Sequence, residues 1–493
     1  DYMTLRAPLT AAALLATASL TAQAQARPMT PEDVAKIESV STIAVSPDGA
    51  RVAYTTARLP DVTAGEENGT TTQQLSMVYG PGNAREFLPA DMNVSGIQFS
   101  PDGRMVSFMW ADGDDKKAVW GIPVDGGAQR KLAHVEGAAV RSYAWSPDGS
   151  HMHLLVAAEE DKDRTAQSKA GFNSVVYEEE PQFNRLFRAR IGMEPDAEPQ
   201  EVSLPGYVTS FQIADDARTG VIETAPTTLI DDEYVNKKVN ILDMESGTVR
   251  MVIETPGKID DVEISPDASR LALIAAVDMN DPAATTIHFV DVASGVVPPH
   301  NAGAPEAVVD VEYMDDGRLV AAVHVGAQSV LRIHNADGSL EREIDPGALI
   351  ISNVETAGSV IAVEASAPQH PTELFRLDGD SFTRWTQHNP WLSEIDFGEQ
   401  RTFRYTARDG QEVEGVLIEP VGGVPAGGAP LILNVHGGPE AHDSNGWQTA
   451  YSKPGHVAAG QGYAVFLPNY RGSTGYGTAF SKQHTGHVAA GQG

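Results

Sequence analysis

Two glycine-containing segments near the end of the 493-residue sequence could carry acyl-transfer chemistry. An apolar run, Leu431–Val435 (LILNV), leads into His436–Pro439 (HGGP), and Asn469–Gly477 (NYRGSTGYG) follows further along the chain. Two glycines after a strand allow the backbone to turn sharply and to aim a bare N–H, that of Gly438 or Gly437, into a cavity, as an oxyanion hole requires. An ordinary strand-to-helix glycine turn explains the first segment equally well when it is taken alone.

An α/β sheet is predicted to position these two segments. Residues 431–435 and 463–467 are apolar runs typical of buried strands, and residues 447–460 between them are predicted to be helical, with glycines as stop signals. A hairpin is predicted over residues 402–419, where Asp409 and Gly410 suit a tight turn. Strands that alternate with helices indicate an α/β sheet, so a second domain is predicted from residue 391 onwards.

The part of the chain before this domain repeats one turn. Ser-Pro-Asp-Gly begins at residues 46, 100 and 146, Ser-Pro-Asp-Ala begins at residue 265, and weaker copies begin near residues 214, 314 and 357. The first copies are each followed by an apolar, β-rich run, and spacings of 43 to 68 residues are typical of propeller blades. The sequence therefore predicts an all-β seven-bladed propeller over residues 27–390.

Three charged residues are candidates for substrate binding. The 68-residue spacing between the third and fourth turns indicates an insertion, which contains Glu178 and Glu179. Paired glutamates that face a substrate channel could bind the ammonium terminus of a peptide, although runs of charge are more commonly solvated surface. Arg471 could reach a substrate carbonyl or could brace its own loop, and both alternatives remain open.

Composition excludes several classes of function. The 35 Lys and Arg residues stand against 67 Asp and Glu residues, and the net charge of -32 repels phosphate backbones and anionic lipid surfaces. We therefore expect no nucleic-acid or membrane partner. The sequence has no cysteine and no H-E-x-x-H motif, and its glycine segments match no nucleotide-binding motif, so no metal and no cofactor are predicted. The oligomeric state does not follow from the sequence.

The first 26 residues have the pattern of a secretory signal peptide. Arg6 supplies a positive charge, residues 9–20 are apolar, and the alanines of residues 22–26 offer small-residue cleavage sites. The apolar stretch is 12 residues long, whereas about 20 are needed to span a bilayer. The sequence therefore predicts export of the mature protein to a periplasm or outside the cell.

The repeated turns, the Arg408-Asp409-Gly410 turn and the two glycine segments together resemble the prolyl oligopeptidase family of serine peptidases. The resemblance is closest to the acylaminoacyl-peptidase and dipeptidyl-peptidase branch. It implies an α/β-hydrolase domain that faces the propeller, peptides as substrates, and an oxyanion bound by the N–H of Gly438 or Gly437. It also implies that His436 belongs to the turn and is not the catalytic base.

The nucleophile motif of such an enzyme is missing. An α/β-hydrolase carries its serine on G-x-S-x-G, followed by an acid and a histidine, and this sequence contains no G-x-S-x-G. Residues 486–493 repeat residues 455–462 letter for letter, and the sequence leaves open whether this repeat is genuine. We expect residues 391–493 to be an incomplete α/β-hydrolase domain, truncated before the nucleophile, and the chain to lack the Ser, Asp and His triad.

Two functions remain from the sequence alone. The first is a secreted or periplasmic serine peptidase that hydrolyses peptides through an acyl-enzyme, with this chain inactive by itself. The second is a non-catalytic propeller that binds a partner and carries a vestigial hydrolase stub. The sequence does not distinguish exopeptidase from endopeptidase action, nor the residue preferred at the cleaved bond.

Overall fold

The computed structural model describes residues 26–484 except 114–115, 159–160, 175–178, 180, 192–197, 205, 299–303, 305 and 439. The predicted signal peptide, apart from its last residue, lies outside the described residues. Within these ranges, seven antiparallel sheets, each built from consecutive strands like the blades of a propeller, are followed by a small mixed sheet. No helix within the described ranges has the length and apolar character that crossing a membrane would need.

The described strands and helices have the following bounds. Strand β1 is Arg27–Pro28, and β29 is Ile395–Asp396. Sheet 1 contains β2 to β5 (Glu38–Val45, Val52–Arg58, Thr72–Val78, Ala84–Glu86), sheet 2 contains β6 to β9 (Ser95–Phe99, Met105–Trp110, Ala118–Pro123, Arg130–Ala133), and sheet 3 contains β10 to β13 (Val140–Trp145, His151–Val156, Arg185–Arg190, Gln200–Val202). Sheet 4 contains β14 to β17 (Tyr207–Ile213, Thr219–Ala225, Lys238–Asp243, Thr248–Ile253), and sheet 5 contains β18 to β20 (Ile259–Ile264, Arg270–Ala275, Thr286–Asp291). Sheet 6 contains β21 to β24 (Ala307–Tyr313, Leu319–Val325, Gln328–His334, Leu340–Ile344), and sheet 7 contains β25 to β28 (Ile350–Ala357, Val360–Ala367, His370–Asp378, Ser381–Arg384). The C-terminal sheet contains β30 to β33 (Gln400–Thr406, Glu412–Ile418, Leu431–Leu433, Ala464–Asn469). The helices are α1 to α5 (Pro31–Val34, Lys162–Lys169, Ile230–Val235, Gly455–Gly460, Thr478–Ser481), with 3₁₀ turns at Val62–Ala64, Ala90–Met92, Pro390–Glu394 and Lys482–His484.

The repeated turns join the first and second strands of all seven sheets, as the sequence predicts. In the first turn, Asp48 Oδ1 accepts hydrogen bonds from Ser46 Oγ at 2.6 Å and from the Ala50 amide at 3.0 Å. The Arg51 amide donates to Ser46 Oγ at 3.0 Å, and the fourth turn position, Gly49, has φ +67°. Ser, Asp and a residue that accepts a left-handed backbone therefore close the four hairpins that begin with Ser-Pro-Asp.

Neighbouring sheets contact one another through their first strands, and the first strand of sheet 7 contacts that of sheet 1. Apolar side chains fill the space between the sheets, while polar groups join the inner strands. Gln98 Nε2 donates to the Tyr143 carbonyl at 2.9 Å, from sheet 2 to sheet 3. The Val354 amide donates to Asp310 Oδ2 at 2.6 Å, from sheet 7 to sheet 6. The sheets thus form one body in which inner strands are linked directly.

The C-terminal sheet has the strand order β30-β31-β33-β32, with β32 parallel to β33 and the other pairs antiparallel. The predicted strand is present at Leu431–Leu433, but its predicted burial is wrong, because Leu431 and Leu433 are 59% and 58% exposed. Strand β32 lies at the sheet edge, and nothing in the described ranges covers its outer side. The predicted helix at 447–460 is also shorter than expected, since α4 begins at Gly455.

The helix begins late because Lys453 and the residues before it are held in a loop. Lys453 Nζ bonds to Asp443 Oδ1 at 2.6 Å and to Gln448 Oε1 at 2.8 Å. Lys453 also precedes Pro454, and a residue before proline disfavours the helical conformation. Tertiary hydrogen bonds therefore replace the first turns of the predicted helix.

The turn between β22 and β23 of sheet 6 is inserted into the C-terminal sheet. Ala327 is fully buried there in an apolar cluster that includes Val416 and Leu467. The Gly326 amide donates to the Gly475 carbonyl at 2.8 Å, and the Asn445 amide donates to the Ala327 carbonyl at 2.7 Å. Sheet 6 therefore sets the position of the C-terminal sheet and of the loops that it carries.

Candidate active-site loops

The two glycine segments lie together at one edge of the C-terminal sheet. Strands β32 and β33 are parallel, and residues 434–438 and 470–477 follow their carboxyl ends. The Asn434 amide donates to the Phe466 carbonyl at 2.9 Å, which extends the pairing beyond β32. Open α/β sheets bind ligands at the carboxyl edge of their parallel strands, so both glycine segments lie where a ligand-binding site is expected.

His436 is held in place by the second segment. Its ring stacks on Tyr470 at a centroid distance of 4.6 Å and an angle of 19°, and the Tyr470 hydroxyl donates to the His436 carbonyl at 2.8 Å. The ring Nδ1 lies 2.8 Å from the Gly437 carbonyl, which can only accept, so Nδ1 carries the proton. Nε2 then accepts from the Ser473 hydroxyl at 3.0 Å. These contacts brace the loop.

The Ser473–His436 pair has the distance of a nucleophile and its base but not the access. Ser473 is fully buried, so a substrate carbonyl cannot approach its Oγ. The proton on Nδ1 of His436 is bound by a backbone carbonyl rather than by a carboxylate. The structure therefore agrees with a turn role for His436, as the family resemblance implies.

Gly437 and Gly438 are both exposed, and they differ in what a side chain would meet. Gly438 has φ +125°, and a Cβ there would lie 2.6 Å from the Glu440 amide nitrogen, whereas a Cβ on Gly437 would meet nothing within 4 Å. No acceptor is recorded within the described ranges for the amide N–H of either glycine. The local geometry therefore requires glycine at Gly438 and leaves its N–H able to donate to an oxyanion. The oxyanion-hole role of Gly437 and Gly438 stays a prediction.

Arg471 is placed against the hairpin of the same sheet. Its guanidinium forms an ion pair with Asp409, in the turn between β30 and β31, and its side chain is 13% exposed. Asp409 itself is 64% exposed. This contact favours the bracing role over contact with a substrate, and the substrate-binding role stays a prediction.

The predicted glutamate pair is only partly described. Glu178 lies outside the described residues, and Glu179 is exposed on the segment after α2, the helix inserted between β11 and β12. This segment flanks a cavity of about 1200 Å³ beside the inner strands β10 and β14. No recorded contact within the described ranges brings Glu179 to the glycine loops.

The inner strands of sheets 5, 6 and 7 carry carboxyl groups that the sequence analysis missed. Burial is the main cause that raises the pKa of Asp310 to about 7 and of Glu355 to about 8, and it raises the pKa of Glu263 and Glu312 well above the usual range. A signal was present, because Asp-Val-Glu occurs at residues 261–263 and again at 310–312, just before two of the repeated turns. Alternation along a strand puts both acids of each triplet on one face.

Among the described residues, no group of three or more His, Asp or Glu side chains is placed to hold a metal ion.

The propeller-like antiparallel sheets and the mixed sheet that follows them form a two-part fold that is also found in solved structures. The Pyrococcus horikoshii acylaminoacyl peptidase has this fold with a TM-score of 0.70 at 18% identity, over 92% of this chain and 68% of that one. A Mycobacterium tuberculosis puromycin-hydrolyzing peptidase has a TM-score of 0.68 at 16% identity, over 93% of this chain and 70% of that one.

Sequence comparison gives the same relation. The chain is 23% identical to the uncharacterized peptidase YuxL of Bacillus subtilis, over 92% of this chain and 72% of that protein. It is 30% identical to dipeptidyl aminopeptidase BIII of Pseudoxanthomonas mexicana, over 30% of this chain and 22% of that protein. No protein-family model matches the sequence. Over most of its length the chain is a homologue of the prolyl oligopeptidase family of peptidases.

Proposed function

We propose that this chain belongs to a periplasmic or secreted serine peptidase that hydrolyses peptides through an acyl-enzyme, as acylaminoacyl- or dipeptidyl-peptidases do. In this proposal residues 27–390 form a seven-bladed propeller and the residues after them form part of an α/β-hydrolase domain. The observation that carries the proposal is the exposed Gly438 amide at the carboxyl edge of β32 and β33, in a loop fixed by Ser473 and Tyr470.

The chemistry assigned to this loop is stabilisation of a tetrahedral intermediate. A serine oxygen attacks the peptide carbonyl, the carbonyl oxygen becomes an oxyanion, and the Gly438 N–H donates to it. Loss of one such donor typically costs about 2.7 to 4 kcal/mol of transition-state stabilisation. Water then hydrolyses the acyl-enzyme. Since the sequence contains no G-x-S-x-G, the serine, the acid and the base of this reaction would come from residues outside it.

An active-site serine probe tests the proposal. The 493-residue chain and the product of the complete gene are each treated with a fluorophosphonate. We expect no covalent adduct on the former, and a stoichiometric adduct on a G-x-S-x-G serine in the latter, together with hydrolysis of peptidyl amide substrates. A stoichiometric adduct on the 493-residue chain would contradict the assignment, and so would a gene with no such motif.

The pair Glu178 and Glu179 adds a narrower test in the complete enzyme. In the proposal these carboxylates bind a free amino terminus, so replacing both with Gln is expected to remove any preference for substrates with a free terminus over acetylated ones. Replacement of Glu198, which is also exposed but lies between β12 and β13, is the matched control. An unchanged preference in the double variant would remove this role.

A second candidate is a non-catalytic propeller that binds a peptide partner. It is favoured by the closure of the seven sheets on themselves, through contact between the first strands of sheets 7 and 1. A complete gene that ends in a stop codon at residue 493, with saturable peptide binding by its product, would favour this function over the peptidase. Hydrolysis by a longer product would exclude it.

A further inference from the structure

A line of three side chains joins sheet 6 to the candidate oxyanion loop. His324, at the end of β22, has its Nδ1 2.7 Å from His442 Nε2, and the two rings are perpendicular with centroids 4.9 Å apart. His442 Nδ1 lies 2.7 Å from the Thr474 hydroxyl. At the other end, His324 Nε2 lies 2.8 Å from the Ile351 carbonyl of β25. The line therefore runs from the second glycine segment into the propeller-like sheets.

The proton positions along this line follow from its end. The Ile351 carbonyl can only accept, so His324 Nε2 carries a proton and donates to it. In a neutral ring the other nitrogen is then an acceptor, so His324 Nδ1 accepts from His442 Nε2. His442 Nδ1 is in turn an acceptor and receives a hydrogen bond from the Thr474 hydroxyl. All three hydrogen bonds therefore point the same way: Thr474 donates to His442, His442 donates to His324, and His324 donates to the Ile351 carbonyl of sheet 7.

Burial favours the neutral form of both rings. Burial lowers the pKa of His442 to about 3, with the neighbouring His324, His436 and Lys453 as lesser causes. Burial also lowers the pKa of His324, which is 8% exposed. The direction of the chain of hydrogen bonds is therefore fixed by the fold and does not reverse near neutral pH.

The same contacts hold both ends of the loop that contains Gly438. Thr474 follows Ser473, whose hydroxyl donates to His436 at the start of the loop. The Thr474 amide donates to the Ala441 carbonyl at 3.0 Å, and its side chain holds His442, so the end of the loop is held as well. Loop residues 436–442 therefore have anchors at both ends, and the distal anchor leads to His324.

We infer that His324 is a positioning residue, which fixes the oxyanion loop from the propeller-like sheets through His442 and Thr474. His324 touches no reacting atom, and it acts by accepting a hydrogen bond from His442 Nε2 while the Ile351 carbonyl holds its own ring. The inference rests on the proposed function, since a positioned oxyanion loop has meaning only in an acyl-transfer enzyme. Its effect on the loop is nevertheless measurable without any peptide hydrolysis.

Two substitutions separate the acceptor of His324 from its donor. In His324→Asn the amide oxygen is a δ atom, as Nδ1 is, and can still accept from His442. In His324→Gln the amide lies at the ε position and can still donate to Ile351, but the acceptor for His442 is lost. His334→Gln is the matched control, because His334 is buried to the same degree on the next strand and its Nδ1 bonds to the nearby Gly338 carbonyl, on the same sheet and away from the loop.

Amide hydrogen exchange of residues 435–445 in the 493-residue chain is the test. We expect exchange to be about five-fold faster in His324→Gln, the change that the loss of one neutral hydrogen bond of about 1 kcal/mol produces. We expect His324→Asn to stay within two-fold of the wild type and His334→Gln to leave the segment unchanged. Equal acceleration in all three variants, or none in His324→Gln, would overturn the inference.

Two further readouts complete the test. Nitrogen-15 NMR of labelled histidine should show His442 of the wild type with an unprotonated Nδ1, and a protonated Nδ1 would contradict the inferred direction. In the complete enzyme, His324→Gln should lower kcat about five-fold and leave KM within two-fold. If the complete enzyme hydrolyses no peptide, the proposed function fails while the exchange result still decides the role of His324 in the loop.

Discussion

Replacing Glu364 with Gln should stabilise the protein at pH 8 and leave its stability unchanged at pH 4. Glu364 lies on β26, is 6% exposed, and receives a 3.5 Å hydrogen bond from Asn353 Nδ2 on β25. Burial raises the pKa of its carboxyl to about 7. The folded protein therefore holds this proton at pH values where the unfolded chain has already released it.

The sign and the size follow from the two pKa values. Unfolded, the carboxyl ionises near its ordinary value of 4.5, whereas in the folded protein it ionises at about 7. Between these values the unfolded state binds fewer protons, so the free energy of unfolding falls as pH rises and then stays low above about 7. The difference corresponds to about 3 kcal/mol, and Gln, which never ionises, avoids this loss. The expected gain at pH 8 is therefore about 2 to 3 kcal/mol.

Urea unfolding of wild type and variant at pH 4, 6 and 8 measures this difference. The gain should be absent at pH 4, intermediate at pH 6 and complete at pH 8. Glu86→Gln on the exposed edge strand β5 is the matched control and should change stability by less than about 0.5 kcal/mol at each pH. A gain for Glu364→Gln that is the same at all three pH values, or a loss at pH 8, would refute the reasoning.

Four other substitutions test three separate parts of the structure. Ala268 has φ +57° at a turn position where Gly49 and other copies have glycine, so Ala268→Gly should stabilise the protein by about 1 kcal/mol in urea unfolding. Gly49→Ala should destabilise it, since the backbone there has φ +67° and the added Cβ would lie 2.6 Å from the side chain of Val360. Leu433→Lys, on the exposed edge strand, should reduce aggregation measured by light scattering while the unfolding midpoint changes little. Asp409→Asn should release Arg471 and accelerate hydrogen exchange in residues 470–477, whereas unchanged exchange would argue against bracing.

The repeated turns could be predicted from sequence because their bonds are local. Asp48 and its counterparts accept from amides two residues away, so the motif itself specifies the hairpin. The late start of α4 at Gly455 could be predicted only in part, since Pro454 is visible in the sequence whereas the bonds of Lys453 to Asp443 and Gln448 follow only from the fold. The pair His324 and His442 was equally hidden, because 118 residues separate them and only the docking of sheet 6 on the C-terminal sheet brings them together.

The stability of the oxyanion loop and the stability of the whole protein should respond differently to pH. Glu355 and Glu364 ionise near pH 8 and 7, so the free energy of global unfolding should fall over the range from pH 5 to pH 8. Burial lowers the pKa of His442 to about 3, so the hydrogen bond that it accepts from Thr474 does not change over that range. Local opening of residues 441–445, corrected for intrinsic exchange, should therefore stay constant while global stability declines. A loop whose protection declined in parallel with global stability would show that it opens only by unfolding of the whole protein, and His324 would then have no separate role in positioning it.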